Sequence, residues 1–369
     1  MTAPIVSVVM SVFNGERFLP KAVESILSQS YRNFEFIVID DGSTDSSPEI
    51  LESYRTRDLR VKVYRKENSG IVDSLNLGCR LARGRYIARM DADDVCALAR
   101  LERQVTFLDS HLEVGLVGCG MYDNIDGHGA TLYTTYLPQD NEAIQRTIVQ
   151  RWCFLHPSIM FRTELFNLVG GYRKVFESAE DHDFILRILE HSQAHNLQEP
   201  LIRYRVNPKG LSVVYHQYMN ELGEIAMELA QRRRRGESEN LASELQRLTE
   251  LKLRRKAPGG LEGLLQRLRD SLYAANRYYG FGCRELCAGR MQSARRCYLV
   301  SLRTNAIFLK SWLGLVLSLL PPVARQMRFL FSSSMQHERE SRDLQPTVDS
   351  ASAFPPTVAG SVNPDRAAV

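Results

Sequence analysis

Three carboxylates stand within four residues at Asp91-Ala92-Asp93-Asp94, directly after the apolar run Tyr86-Ile87-Ala88-Arg89-Met90. Acids this close repel one another and lose solvation at the end of a buried strand, and a divalent cation removes that cost. Upstream, a second acidic pair, Asp40-Asp41, ends the strand-like Phe34-Glu35-Phe36-Ile37-Val38-Ile39. Either group alone serves equally well as turn or helix-cap residues. Two strands that both deliver carboxylates at their C-terminal ends favour a crevice for a nucleotide and a metal, as open α/β sheets build one.

The elements that must position these acids alternate. Ile5–Val12 is a β-branched run, and Phe18–Ser28 has Leu19, Ala22, Val23, Ile26 and Leu27 at helical spacing. Phe34–Ile39, Val61–Tyr64 and Tyr86–Met90 read as strands, with a turn and N-cap at Gly42–Pro48 and a helix over Ile71–Ala82. This pattern predicts an α/β fold, a mainly parallel sheet with helices on both faces. Further on, a helix is expected near Leu101–Leu108 and a strand at Gly115–Gly120. Irregular segments follow at Trp152–Phe161 and Gly170-Gly171-Tyr172. A helix then starts at Glu180-Asp181, and Ile202–Val206 is a late strand. Strand signals vanish after Tyr215. Helical spacing recurs over residues 218–230, at Leu241, Leu245 and Leu248, after the break Pro258-Gly259-Gly260, and in a hairpin-like pair over Met291–Asn305 and residues 306–320. The segment after Ser332 is poor in large apolar residues and is expected to be disordered.

In this order the motifs resemble those of the family 2 glycosyltransferases, which have the Rossmann-like GT-A fold. The matching pieces are Val6–Asn14 with Glu16, Ser25–Ser30, Val38–Asp45, Asn68-Ser69-Gly70, Asn76-Leu77-Gly78, Gly84–Ala88, Asp91–Asp94, Gly170–Arg173 and Glu180–Asp183. They cover residues 4 to about 212.

The resemblance implies inverting transfer of a sugar from a nucleotide-sugar donor. By it, Ser11, Phe13 and Glu16 hold the base and ribose, and Asp41 accepts from a uracil or thymine N3–H, while Asp40 orients the turn. Asp91 lies at the ribose side, with Ala92 between it and Asp93, which binds Mg²⁺ or Mn²⁺ bridging the phosphates. Asp94 reads at least as well as a cap for the following helix. Asp181 is the expected base for the acceptor hydroxyl, with Asp183 pointing elsewhere. Asn68, Ser74 and Asn76 either line the donor pocket or satisfy backbone. His156 reads as structural, and Arg205 as a phosphate contact. The family often has a His where Asn207 stands, so a His-assisted metal contact is in doubt, with His216 a weak substitute.

Composition sets the outer frame. The net charge of +4 hides an asymmetry. Residues 1–215 carry 24 Lys and Arg against 28 Asp and Glu, residues 216–331 carry 20 against 10, and residues 332–369 carry 3 against 5. These three stretches are the expected catalytic domain, helical region and tail. Seven cysteines without paired ligand spacing suggest free thiols in a reducing cytoplasm rather than disulfides or zinc. The apolar stretch Trp312–Leu320 stops at Pro321-Pro322, too short to span a bilayer. The basic runs Arg232–Arg235 and Lys252–Lys256, with Trp312–Leu320 and Phe329–Phe331, read either as a solvated face or as a peripheral contact to an anionic membrane near a lipid-linked acceptor. A nucleic-acid partner is not expected, since the runs lack interleaved aromatics. The expected activity is metal-dependent glycosyl transfer to a glycan or lipid-linked hydroxyl, on the inner face of the cell membrane or free in the cytoplasm. A nucleotidyltransferase, or a silent glycan-binding module, is the alternative. The first lacks a good phosphate loop at Phe13–Arg17, and the intact acids at 41, 91, 93 and 181 speak against the second.

Overall fold

The computed structural model describes residues 3–207, 216–239, 244, 246–250 and 261–319. The first half alternates as the hydrophobic pattern predicts: β1 (Val6–Val12), α1 (Leu19–Leu27), β2 (Phe34–Asp40), α2 (Ser47–Arg57), β3 (Val61–Arg65), α3 (Ile71–Leu81) and β4 (Tyr86–Asp91). Pro20 and Pro48 sit in the first turns of α1 and α2, where a missing N–H leaves no partner unsatisfied. These four strands pair in parallel in the order β3-β2-β1-β4.

The second half is mixed. It runs β5 (Val95–Cys96), α4 (Arg100–Ser110), β6 (Val114–Ile125), β7 (Thr131–Tyr136), α5 (Asn141–Thr147), β8 (Met160–Arg162), α6 (Thr163–Val169), α7 (Glu180–Ile188) and β9 (Gln193–Arg205). The sheet continues β4-β8-β6-β9-β5, with β7 on β6. Of these contacts only β6–β9 is parallel. Trp152–Phe161, expected to be irregular, holds a short 3-10 turn at His156–Ser158 and the start of β8; β7, α5 and α6 arise where no element was expected, and the late strand begins nine residues earlier than Ile202. Two apolar cores cover the sheet. One lies under α1, α2 and α4, the other under α3, α6, α7 and α8 (His216–Arg234). Along β4, Tyr86, Ala88 and Met90 enter the first core and Ile87 the second. Strand alternation puts Arg89 and Asp91 on the face of Ile87.

Beyond α8 come α9 (Leu261–Cys287), α10 (Met291–Thr304) and α11 (Leu309–Leu319), the last two forming the expected hairpin. Tyr278 of α9 with Cys297 and Val300 of α10 packs on Leu132 and Tyr133 of β7. Among the described residues no helix is long and apolar enough to cross a membrane. All seven cysteines are free thiols, and all but Cys287 are buried. Leu241, Leu245, Lys252–Lys256, Pro258–Gly260, Phe329–Phe331 and the tail lie outside the described residues.

The first half of the arginine run at the end of α8 turns toward the protein, and the second half stays exposed. Arg232 faces Glu244 at 3.5 Å, and Arg233 faces Glu190 at 2.7 Å and also Glu239. Arg234 donates to Gln145 Oε1 at 2.6 Å, and Arg235 pairs with Glu237 at 2.6 Å. Arg232 and Arg233 are committed to buried and partly buried partners, while Arg234 and Arg235 make their pairs at the exposed surface.

Candidate active site

The order β3-β2-β1-β4 reverses direction between β1 and its two neighbours, the switch point at which open α/β sheets take ligands. Register aligns the strand ends there, with Ser11 opposite both Ile39 and Asp91, and Val12 opposite Asp40. Asp40 is buried and accepts the Ser43 N–H at 3.0 Å, so it orients the turn, as expected. Gly42 in that turn has φ of 75°, and a Cβ there would stand 2.9 Å from the Asn68 nitrogen. Only glycine fits.

Asp41, also buried, accepts from the amides of Ser69 and Gly70 at 3.0 Å each and pairs with the Lys66 ammonium. Phe13 projects from the end of β1 and is 53% exposed. Glu16 faces the next turn: its carboxylate accepts the Ser46 N–H, and its own N–H donates to Asp45, both at 3.0 Å. Ser74 is fully buried and donates its hydroxyl to the Gly70 carbonyl at 3.0 Å. In this state Glu16 and Ser74 spend their side chains on loop geometry.

Asp91, Asp93 and Asp94 bring carboxylate oxygens within 4.8 Å of one another. Arg89, 4% exposed, lies 2.5 Å from Asp91. Burial, then the charge of Asp91, pushes the Asp93 carboxyl up to about 6. Burial, then Asp93 and Asp91, holds Asp94 well above the usual carboxylate range. Asp94 does not cap a helix. The residue preceding α4 is Ala99, whereas Asp94 accepts the Arg205 N–H at 2.7 Å across the β5–β9 pairing. Its second oxygen is buried without a hydrogen-bond partner. Arg205 closes the corner by donating to the Asp93 and Asp126 carbonyls, each at 2.7 Å. Crowded hard oxygens, raised carboxyls and an orphaned buried oxygen are what an oxygen-seeking divalent cation would satisfy, so the donor set fits Mg²⁺ or Mn²⁺.

Asp181 is the second residue of α7 and keeps part of its surface accessible. Burial, then the neighbouring Glu180, raises its carboxyl well above the usual range, and the His182 N–H donates to it at 2.8 Å. Glu180 turns back to the Ser178 N–H at 2.7 Å, where the backbone sits at φ of 91°. Asp183 points away, as expected, into a buried pair with Arg187 at 2.7 Å and with Arg173.

A strap of residues 171–179 ties this helix start to the Asp41 loop. Asn76 of α3 clasps Tyr172 by accepting its N–H at 2.9 Å and donating to its carbonyl at 2.8 Å. Lys174 donates to the Ser69 carbonyl at 3.0 Å and pairs with Asp73. His156, buried and held neutral by burial, meets the Tyr172 hydroxyl at 3.0 Å and is structural, as expected. The buried positive charge of Arg89 opposes the upward shifts of Asp93, Asp94, Glu180 and Asp181 alike. Arg89, Lys66 and Lys174 were not foreseen. An arginine on the Asp91 face of an otherwise apolar strand is a signal for the first, while nothing in the sequence marks the other two.

Comparison with known proteins follows the same residues. Residues 7–170 match the sequence model of Glycosyl transferase family 2. "Putative glycosyltransferase EpsE" of Bacillus subtilis (strain 168) is 38% identical over 211 residues, 55% of this chain and 74% of that protein. The O-antigen biosynthesis glycosyltransferase WbnJ of Escherichia coli is 34% identical over 210 residues, 56% of this chain and 81% of that protein. Among solved structures, S. aureus TarS 1-349 in complex with UDP is 17% identical with a TM-score of 0.47, covering 93% of this chain and 94% of that one.

Proposed function

The chain belongs to glycosyltransferase family 2, and from that premise we propose that it moves a sugar, with inversion, from a UDP- or dTDP-sugar to a hydroxyl of a glycan or lipid-linked acceptor. Surface polysaccharide assembly is the setting we infer, since WbnJ is named for O-antigen biosynthesis. The reading rests on one observation above the rest: three carboxylates within 4.8 Å at the switch point of the sheet, one with an unpartnered buried oxygen.

In this reading residues 1–215 form the catalytic region and the helices that follow an accessory one, peripheral on the inner face of the cell membrane. Asp41 accepts the N3–H of the base, with Lys66 and the 69–70 amides fixing its orientation. Phe13 covers the base, and Ser11 and Asp91 flank the ribose. Glu16 and Ser74 support the pocket through the turns they hold rather than by touching the donor. Asp93, with Asp94 beside it, would hold Mg²⁺ or Mn²⁺, which when bound neutralises charge on the departing diphosphate.

Asp181 takes the proton from the acceptor hydroxyl as its oxygen attacks the anomeric carbon, and the bond to the diphosphate breaks on the opposite face. Burial raises this carboxyl, which makes its carboxylate a stronger base for that proton. Release of nucleoside diphosphate from UDP-, dTDP- and GDP-sugars, with Mn²⁺ or with chelator, tests the proposal. Metal-dependent release from a pyrimidine donor is expected. Release from none, or only with chelator present, overturns it.

A further inference from the structure

We propose that α11 seats the protein on an anionic lipid surface. The helix is turned inside out. Leu309, Trp312, Leu313, Val316 and Leu319 follow a helical spacing of one stripe, and each is between 50% and 78% exposed. The inward face is Ser311, Gly314 and Ser318 with Leu317. Ser311 meets the Ser301 hydroxyl at 2.6 Å, and Arg295 of α10 donates to the Ser318 carbonyl at 2.6 Å. At Gly314 a Cβ would stand 2.5 Å from the Tyr298 ring, so the helix packs by its small residues. A helix facing water does the reverse.

Charge selects the occupant. Residues 286–319 carry five Arg and Lys and not one Asp or Glu; Arg290 pairs with Glu285, and Arg295 and Arg296 donate to the Ser318 and Thr131 carbonyls. Arg303 and Lys310, on and beside the α10–α11 hairpin, are exposed. An anionic bilayer meets both features, an apolar layer for the stripe and negative headgroups for the flanks. Nucleic acid would answer the charge but not the stripe. Trp312 donates its indole N–H to the Ala306 carbonyl at 2.9 Å, which satisfies its polar edge and leaves the ring free to enter an apolar layer. Eleven residues span roughly 16 Å, so the helix lies in the interface plane rather than crossing it. The inference extends the membrane-side part of the proposed function and rests on it only for its purpose, since vesicle binding needs no donor.

The test is flotation of the full-length protein with phosphatidylcholine vesicles, with and without about one third phosphatidylglycerol. We expect the protein to float with the anionic vesicles, less so at high salt, and the double variant Trp312→Glu/Val316→Glu to bind roughly tenfold more weakly. Both side chains face solvent, so the variant should melt like the wild type and release nucleoside diphosphate at the same rate. Failure to float with anionic vesicles overturns the proposal, as does undiminished flotation of the variant. So does a concentration-dependent dimer that the two substitutions disperse while vesicle binding is absent, which would make a second copy the occupant.

Discussion

The acids at residues 91 to 94 differ in what holds them: Asp91 has a buried arginine, Asp94 a backbone amide, and Asp93 has its carbonyl tied to Arg205 while burial and the charge of Asp91 push its carboxyl up. With its folded pKa raised to about 6, above the unfolded value, Asp93 favours folding when protonated, and that contribution is lost as pH rises through about 6. In metal-free protein Asp93→Asn should therefore raise Tm at pH 8, by a stability gain on the order of 1 kcal/mol. The gain should fade as pH drops below about 6, which scanning calorimetry across pH would read directly. Asp181→Asn is expected to retain donor binding while turnover falls roughly 10²- to 10⁴-fold; transfer at the wild-type rate would remove it as the base. Residue types alone made the acids legible, because clustered carboxylates at strand ends have few stable explanations. The cations that balance them were not legible. A lone Lys66 or Lys174 has no pattern until the fold brings it to Asp41 or Asp73.

Elements show where the pattern is strong and where it fails. Strands β1, β2 and β4 are buried parallel strands and announce themselves by apolar runs, β3 at the sheet edge by its alternation, and the helices between them by their spacing. β8 has three residues and β5 two, too few for any period to register. β7 did carry a usable signal, a threonine-and-tyrosine run, and α5 had one in the Asp140 cap on the Ala143 N–H. The strap from Gly171 to Ser178 is likewise irregular, yet it connects the loop around Asp41 to the start of α7 through Asn76 and Lys174. Asn76→Ala strands the buried amide and carbonyl of Tyr172, at a cost of about 1–3 kcal/mol in stability. Its turnover should drop more than its donor affinity, because Asp181 follows closely on the strap while Asp41 keeps Lys66 and the amides of Ser69 and Gly70. Comparing kcat with KM for the donor decides this; a loss confined to KM would place the strap on the nucleotide side alone.

At the scale of the whole molecule, the basic helical region divides into a part committed inward and a part left outward. Arg233 stands between Glu190 and Glu239, its side chain 18% exposed. Arg233→Glu would set three acids together and should destabilise the protein by about 1–3 kcal/mol, seen as a lower Tm, with vesicle binding unchanged; loss of vesicle binding at unchanged Tm would return that arginine to the membrane-facing part. The fold and the α10–α11 hairpin were readable from spacing, but which face of α11 is out was not, because Ser311, Gly314 and Ser318 look like a polar face until Tyr298 is seen against Gly314. The central claim is that the acids at the switch point form a metal-dependent donor site, and titration calorimetry of UDP- and dTDP-sugars in Mn²⁺ and in chelator tests it most directly. The account predicts binding of a pyrimidine donor that requires Mn²⁺, is abolished in Asp93→Asn and persists in Asp181→Asn. Binding that ignores the metal, or survives Asp93→Asn unchanged, would contradict it.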